Sequence, residues 1–393
     1  MVDRLRVAHM VYTVDIEAGG GGLSRFAIEL AQKLDPTIIE SSLISLGYSD
    51  SPTNPAFLQN LNDQGIRTFE ATSWDKEVPY QSFYRSLKSI KTELTHEPVE
   101  ILHSHSEFTD VTALLLKIRK KAATIIRTVH YGHQVEWRDK PLRRSLLTNF
   151  LYPIFYNHEI GINQFNTDRL NNRSLARLLD RRATYIPNAI PIEKFTNIQV
   201  DKKVKMQSIG IPPDAAVIGT IGRLSTQKGF SYLIDAIPQV LAEHPQVYFL
   251  IIGDGPLAEE LKSQSERLDV ASHTFFLGRR SDVDELLGCM DLFVSSSLWE
   301  GIPTVILEAM ASEIPVLATS NPGTSELVQH GINGWLVPAG EPQAISKGIS
   351  HLINSPPLRQ ELVIHARETI QVYSIDSIAE QYEQLYLRTK IDN

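Results

Sequence analysis

Short apolar runs alternate with stretches of helical period along most of the chain. In the first half, residues 5–11, 38–46, 66–69, 100–103, 123–129, 159–162 and 184–186 read as strands, with helical segments at 23–34, 80–94 and 110–118 between them. After Pro187-Asn-Ala-Ile-Pro191 the pattern restarts, with strands expected at 216–221, 247–252, 273–277, 292–295 and 316–318. Short buried strands separated by helices predict parallel sheets covered on both faces. The expected fold class is therefore α/β, with two Rossmann-like domains facing across a central cleft. Ligands of such sheets bind beyond the carboxyl ends of the strands, so the residues just after each strand carry the chemistry.

The strongest of these post-strand segments is Ser295-Ser-Ser-Leu-Trp-Glu-Gly-Ile-Pro-Thr-Val-Ile-Leu-Glu-Ala-Met310. Pro303 suits the first position of a helix, since its fixed φ fits and its missing N–H would be unbonded there. Thr304 and Glu308 then share a helix face. Glu300 falls in the loop before the helix, placing the two carboxylates roughly 10 Å apart, about the span from a sugar to a ribose across a diphosphate. Between them lie Gly301, Ile302, Pro303, Thr304 and Val305, at a helix start whose open N–H groups and dipole favour an anion. Taken alone, the two acids could be a solvated loop residue and a helix-surface residue.

A second signal follows the strand at 216–221: Gly222-Arg-Leu-Ser-Thr-Gln-Lys-Gly229, leading into a helix near Phe230. Gly222 permits close backbone approach, while Arg223 and Lys228 set two cations at a strand end. Arg grips phosphate oxygens bidentately and Lys adds a point charge, so together they can neutralise a leaving diphosphate without a metal. Asp282-Val-Asp284 could hold a metal, yet Ser281 with Asp284 reads better as a capping box opening a helix. In the first half, Gly19-Gly-Gly-Gly22 precedes a helix; Gly20, Gly21 and Gly22 can cradle an anion or simply give a flexible link. His103 and His105 flank one strand end and His130 closes another, positions at which a lone histidine is often structural.

The E-x(7)-E pair at Glu300 and Glu308, with the G-R-L-x-x-x-K-G run, resembles the retaining nucleotide-sugar glycosyltransferases of family 4. The likeness is specific from about residue 217 to 337 and looser over the first 195. It implies the GT-B fold, with an acceptor-binding domain at 1–192, a nucleotide-sugar-binding domain at 193–373 and a last helix within 374–393 crossing back to the first domain. It implies a donor site of Gly222, Arg223, Lys228, Gly253, Gly278, Arg279, Glu300, Gly301, Ile302, Pro303, Thr304, Val305 and Glu308, with Arg223 and Lys228 on the diphosphate. Glu300 would bond sugar hydroxyls and Glu308 the ribose. Through the same likeness His130 would meet a hydroxyl of the transferred sugar, His105 would stand on the acceptor side, and the glycine loop would face the donor phosphates. The segment 131–137 matches no family pattern, which makes it a candidate for acceptor choice.

The expected activity is metal-independent transfer of a sugar, with retained anomeric configuration, from a nucleotide diphosphate donor to an acceptor hydroxyl; a UDP-sugar is favoured over a GDP-sugar. A synthase joining two small sugars is the main alternative, followed by a sugar-nucleotide epimerase and a silent binding protein of the same fold.

Composition narrows the setting. The 393 residues exceed what one core serves, which agrees with two domains. There is no apolar run long enough to span a membrane and no secretory leader at 1–7, and the single cysteine, Cys289, excludes an intrachain disulfide; a cytoplasmic protein is expected. The net charge of −8 is uneven, because residues 1–195 hold 24 Lys and Arg against 22 Asp and Glu. Nine basic residues crowd 117–144 against Glu136 and Asp139 alone, ahead of the aromatic run 150–156. Such a stretch is either a core helix with a solvated basic face or a peripheral contact, through 138–158, with an anionic membrane face. No nucleic-acid motif accompanies it, so no nucleic-acid partner is expected.

Overall fold

The computed structural model describes residues 4–15, 21–48, 55–75, 77–130, 141–196 and 198–391. The chain forms two compact units, one of residues 1–189 with 375–393 and one of residues 190–374.

In the first unit seven parallel strands run in the order β3-β2-β1-β4-β5-β6-β7. They are β1 (Leu5–Val11), β2 (Ile39–Ser45), β3 (Arg67–Glu70), β4 (Ile101–Ser104), β5 (Thr124–Val129), β6 (His158–Gly161) and β7 (Thr184–Tyr185). The direction of winding reverses between β1 and β4, where His9 lies in register with His103. The inner strands β1, β4, β5 and β6 are largely buried on both faces, as the parallel arrangement demands, while the edge strands β3 and β7 are partly open. One core layer contains Leu5, Val7, Phe26 and Ile101 together with Ile375, Ile378, Tyr382 and Tyr386 of the helix Ile375–Ile391. The chain's last helix is thus core to the first unit. Its tyrosines bring hydroxyls into that core, and these are satisfied there: Tyr386 OH meets His103 Nδ1 at 2.6 Å, and Tyr382 OH meets Thr128 Oγ1 at 3.0 Å. Thr128 in turn lies 2.8 Å from His103 Nε2, closing a buried polar network.

The second unit holds six parallel strands in the order β10-β9-β8-β11-β12-β13. They are β8 (Ala216–Ile221), β9 (Val247–Ile252), β10 (Thr274–Gly278), β11 (Leu292–Ser295), β12 (Val316–Ser320) and β13 (Trp335–Pro338). Winding reverses between β8 and β11. The edge strand β13 has no counterpart in the sequence reading. Its four residues end in Pro338, which reads as a turn in isolation and is tolerated at a sheet edge because no ladder N–H is needed there.

Two local expectations are corrected. The helix Thr304–Ala311 begins one residue later than predicted, with Pro303 as its N-cap. The helix Val283–Leu287 has Asp282, not Ser281, at its N-cap, and no side chain caps it. The Asp282 carboxylate is instead held by Arg280 and Lys205, which keep it well below the usual carboxylate range. Long-range ion pairing has overridden the local box.

Tyr386→Phe should remove the partner of a buried imidazole nitrogen and destabilise the first unit by about 1–3 kcal/mol. The urea midpoint should fall while the far-ultraviolet dichroism of the native protein stays unchanged.

Candidate active site

The loops leaving β8 and β11 diverge from the reversal point of the second sheet, the place where such sheets bind ligands. After β8 the chain passes Gly222, Arg223 and Leu224 into a short turn, Thr226–Lys228, and then through Gly229 in the left-handed region at φ 60°. A side chain at Gly229 would strike the Ser296 carbonyl, its Cβ lying 2.2 Å from that oxygen. This close approach stitches the two loops together, and Ser296 Oγ also donates to the Lys228 carbonyl at 2.9 Å.

The stitched loops bring Lys228 and Glu300 into contact, Nζ to Oε1 at 2.6 Å. Both are largely shielded, with 19% and 5% of their side chains exposed, so the pair is not a loose surface bridge. Glu300 Oε1 also accepts from Ser297 Oγ at 2.7 Å. Gln227 braces the same loop, its amide donating to the Trp299 carbonyl at 3.1 Å. Behind them Thr319 and Asn321 donate to the Ser297 carbonyl at 2.5 and 3.2 Å. A Cβ at Gly323 would lie 1.7 Å from the Gly301 carbonyl oxygen, so only glycine lets the helix Pro322–Leu327 sit beneath the loop. Gln227, Ser297, Thr319, Asn321 and Gly323 were missed in the sequence, because their role arises only where separate strand ends converge.

Gly301, Ile302 and Pro303 are buried, while Thr304 and Val305 are partly open at the helix start. Glu308 is only 2% exposed, which removes the helix-surface reading of this acid. Gly222 and Gly253 have their N–H groups committed, to the Ile252 and Gly278 carbonyls at 3.0 and 2.8 Å. Their lack of a side chain serves packing: a Cβ on Gly222 would press the Lys228 stem at 3.2 Å, and one on Gly253 would lie 2.0 Å from the Gly222 oxygen. Gly278 turns at φ 64°, and Arg279 is exposed at the same rim, 4.0 Å from Asp254. Arg223 is exposed on the loop after β8.

The remaining predicted residues belong to the first unit. Gly21 and Gly22 open the helix Gly21–Lys33 with free space around both; Gly20 and the segment 131–137 lie outside the described residues. His9, His103, His105 and His130 are all buried and cluster at that sheet's reversal point. His105 Nε2 faces His9 Nδ1 at 3.3 Å, and its ring lies 5.8 Å from that of His130. His105 Nδ1 has no hydrogen-bond partner among the described residues. His130 is the outlier, since neither ring nitrogen has a hydrogen-bond partner among the described residues; its polar neighbour is Asn188, whose Oδ1 is likewise unpartnered. Ring nitrogens of His9, His103 and His105 lie within 4.8 Å of one another. Holding a cation there would break the bonds His103 makes to Tyr386 or Thr128.

Burial sets the charge of this cluster. Desolvation pushes His9 and His130 down to about 3, and His103 and His105 are likewise held well below the ordinary imidazole value. An unfolded histidine titrates near 6.5, so between these limits the unfolded chain binds the extra protons and stability is lost as pH falls. The slope is about 1.4 kcal/mol per pH unit for each histidine. Asp110, raised by burial to about 6, opposes the trend below that pH. The net expectation is a loss of about 2 kcal/mol or more between pH 7 and 5, read as a falling urea midpoint; constant stability over that window would refute the neutral cluster.

Comparison with known proteins accords with these features. Residues 201–369 match the family described as glycosyl transferases group 1, and residues 20–194 match glycosyltransferase family 4. The chain is 26% identical over 291 residues, 70% of its length and 72% of the relative's, to the UDP-Gal:alpha-D-GlcNAc-diphosphoundecaprenol alpha-1,3-galactosyltransferase of Escherichia coli. In fold it is similar to Anabaena Alr3699/HepE, solved in complex with UDP-glucose, with a TM-score of 0.79 and 22% identity over 98% of this chain and 100% of that one. It is similar too to the sucrose-phosphate synthase of Thermosynechococcus elongatus, with a TM-score of 0.82 and 17% identity over 99% and 100% of the two chains. The two units have the GT-B type of architecture, and the chain belongs to the family 4 glycosyltransferases.

Proposed function

We propose that the protein is a retaining, metal-independent glycosyltransferase that moves a sugar from a nucleoside diphosphate sugar, with UDP preferred over GDP, to an acceptor hydroxyl. The observation that carries this reading is the contact of Lys228 with Glu300 at 2.6 Å. An ammonium suits phosphate oxygens and a carboxylate suits sugar hydroxyls, so side by side they frame the junction between a sugar and a diphosphate. Arg223 supplies a second cation for the diphosphate, Glu308 accepts bonds from ribose hydroxyls, and His130 takes a hydroxyl of the transferred sugar. With cations already at the leaving group, charge stabilisation does not call for a metal.

In the reaction, the acceptor oxygen bonds to the anomeric carbon on the face from which the diphosphate departs. The bond from that carbon to the β-phosphate oxygen breaks, and a β-phosphate oxygen takes the acceptor proton. Configuration is retained and the nucleoside diphosphate leaves. Positioning and preorganised charge supply most of the acceleration. A uridine donor is supported by the donor in the Escherichia coli relative's name and by the UDP-glucose bound to HepE. The resemblance in fold to sucrose-phosphate synthase keeps a small-sugar acceptor as the second reading.

Lys228→Met should lower kcat by about 100-fold or more, since one lost charge-stabilising donor is worth about 3 kcal/mol in the transition state. Glu300→Gln should weaken use of the UDP-sugar while leaving UDP binding near the parent value. Nucleotide release with and without lipid-linked and free sugar acceptors measures both; an unchanged kcat in Lys228→Met would overturn the assignment.

A further inference from the structure

The first unit contains a cationic cavity of about 820 Å³ that the donor site does not use. Its walls come from residues 144–150 on one side and from the helices Gln164–Asn171 and Ser174–Leu178 on the other. Arg127, Arg144, Arg169 and Arg173 line it, and no Asp or Glu is among its described lining residues. Arg127 is only 2% exposed. Its Nη2 pairs with Asp110 at 3.1 Å and its Nη1 lies 3.8 Å from a Glu159 oxygen, while Nε has no hydrogen-bond acceptor among the described residues. Arg173 is paired with Glu159 behind the wall. Arg144 and Arg169 add further positive charge; beyond the effect of burial, the charge of Arg144 lowers the pKa of Arg169. A buried guanidinium with a donor left over from its carboxylate partners, on a wall shared with Arg144 and Arg169, is matched by a phosphate group.

Beside the cavity runs an apolar stripe. Leu142, Leu146, Phe150 and Ile154 are 87%, 54%, 52% and 47% exposed, at steps of four along the run Pro141–Phe155. In an α-helix such a step overshoots a full turn, so a long stripe would drift around the axis. The wider π-turn Leu147–Leu151 undershoots at the same step and brings the stripe back into line. Four large apolar side chains held in a row towards solvent, next to an arginine cavity, complement a surface that is anionic outside and apolar beneath.

We propose that this face docks on an anionic membrane, the arginine cavity receiving a lipid phosphate while the Leu142 to Ile154 stripe enters the acyl boundary. The proposal is independent of the donor-site reading. Its test is co-sedimentation of the full chain with vesicles of phosphatidylcholine alone or mixed equally with phosphatidylglycerol. Binding is expected on the mixed vesicles only, weakening as salt is raised. Arg144→Gln with Arg169→Gln should reduce partitioning about 25-fold, at about fivefold per charge. Leu146→Ser with Phe150→Ser should reduce it on the same vesicles without altering thermal melting, since both side chains are exposed. Equal binding to both vesicles, or full binding by the stripe variant, would overturn the proposal. So would a dimer dispersed by the stripe variant without vesicle binding. Inorganic pyrophosphate that protects the parent, but not the arginine variant, against heat in the absence of vesicle binding would assign the cavity to a soluble phosphate ester and overturn it as well.

Discussion

The constraint behind the second unit is the reversal of winding between β8 and β11. Parallel strands must be joined by crossovers, and where consecutive crossovers change direction the two carboxyl-end loops diverge and leave a gap that no helix fills. The chain uses that gap to bring a lysine from one loop against a glutamate from the other. Glycines at 222, 229, 253 and 323 permit the approach, each standing where a side chain would press on or overlap a neighbouring loop. Loop packing of this closeness preorganises charge.

The first unit meets the same topological rule with different chemistry. At its reversal point, between β1 and β4, four histidines are buried and held neutral by desolvation. Neutral rings cost far less to bury than charged ones, and the hydroxyls of Tyr382, Tyr386 and Thr128 satisfy His103. The last helix of the chain is therefore part of the hydrogen-bonded frame around the first unit's polar centre. His130 stands apart within that frame as the ring without a described partner.

Much of this was legible beforehand because burial on both faces leaves a plain trace. The runs at 216–221, 247–252 and 292–295 match strands β8, β9 and β11 to the residue, since each is a mostly apolar segment closed by glycine or serine. Edge strand β13 was not legible, being short, half-exposed and closed by proline. The capping box at Ser281 failed for an instructive reason. A local hydrogen bond is worth about 1 kcal/mol, and Asp282 finds Lys205 and Arg280 instead, one of them 77 residues away. Pro303 as N-cap, where a first helical position was expected, is a boundary shift of one residue.

Order along the chain was enough to specify two parallel α/β units, the strand-end loop with Arg223 and Lys228, and the acidic pair Glu300 and Glu308, because each depends on short-range periodicity and on residue types at strand ends. Only the folded chain decided that Lys228 meets Glu300, that Glu308 is buried, that Gly222 and Gly253 spend their N–H groups on neighbouring strands, and that four arginines share one cavity. Those facts join residues tens of positions apart. Their partners are chosen by how the crossovers stack the strands, a property of the whole sheet that no local window contains.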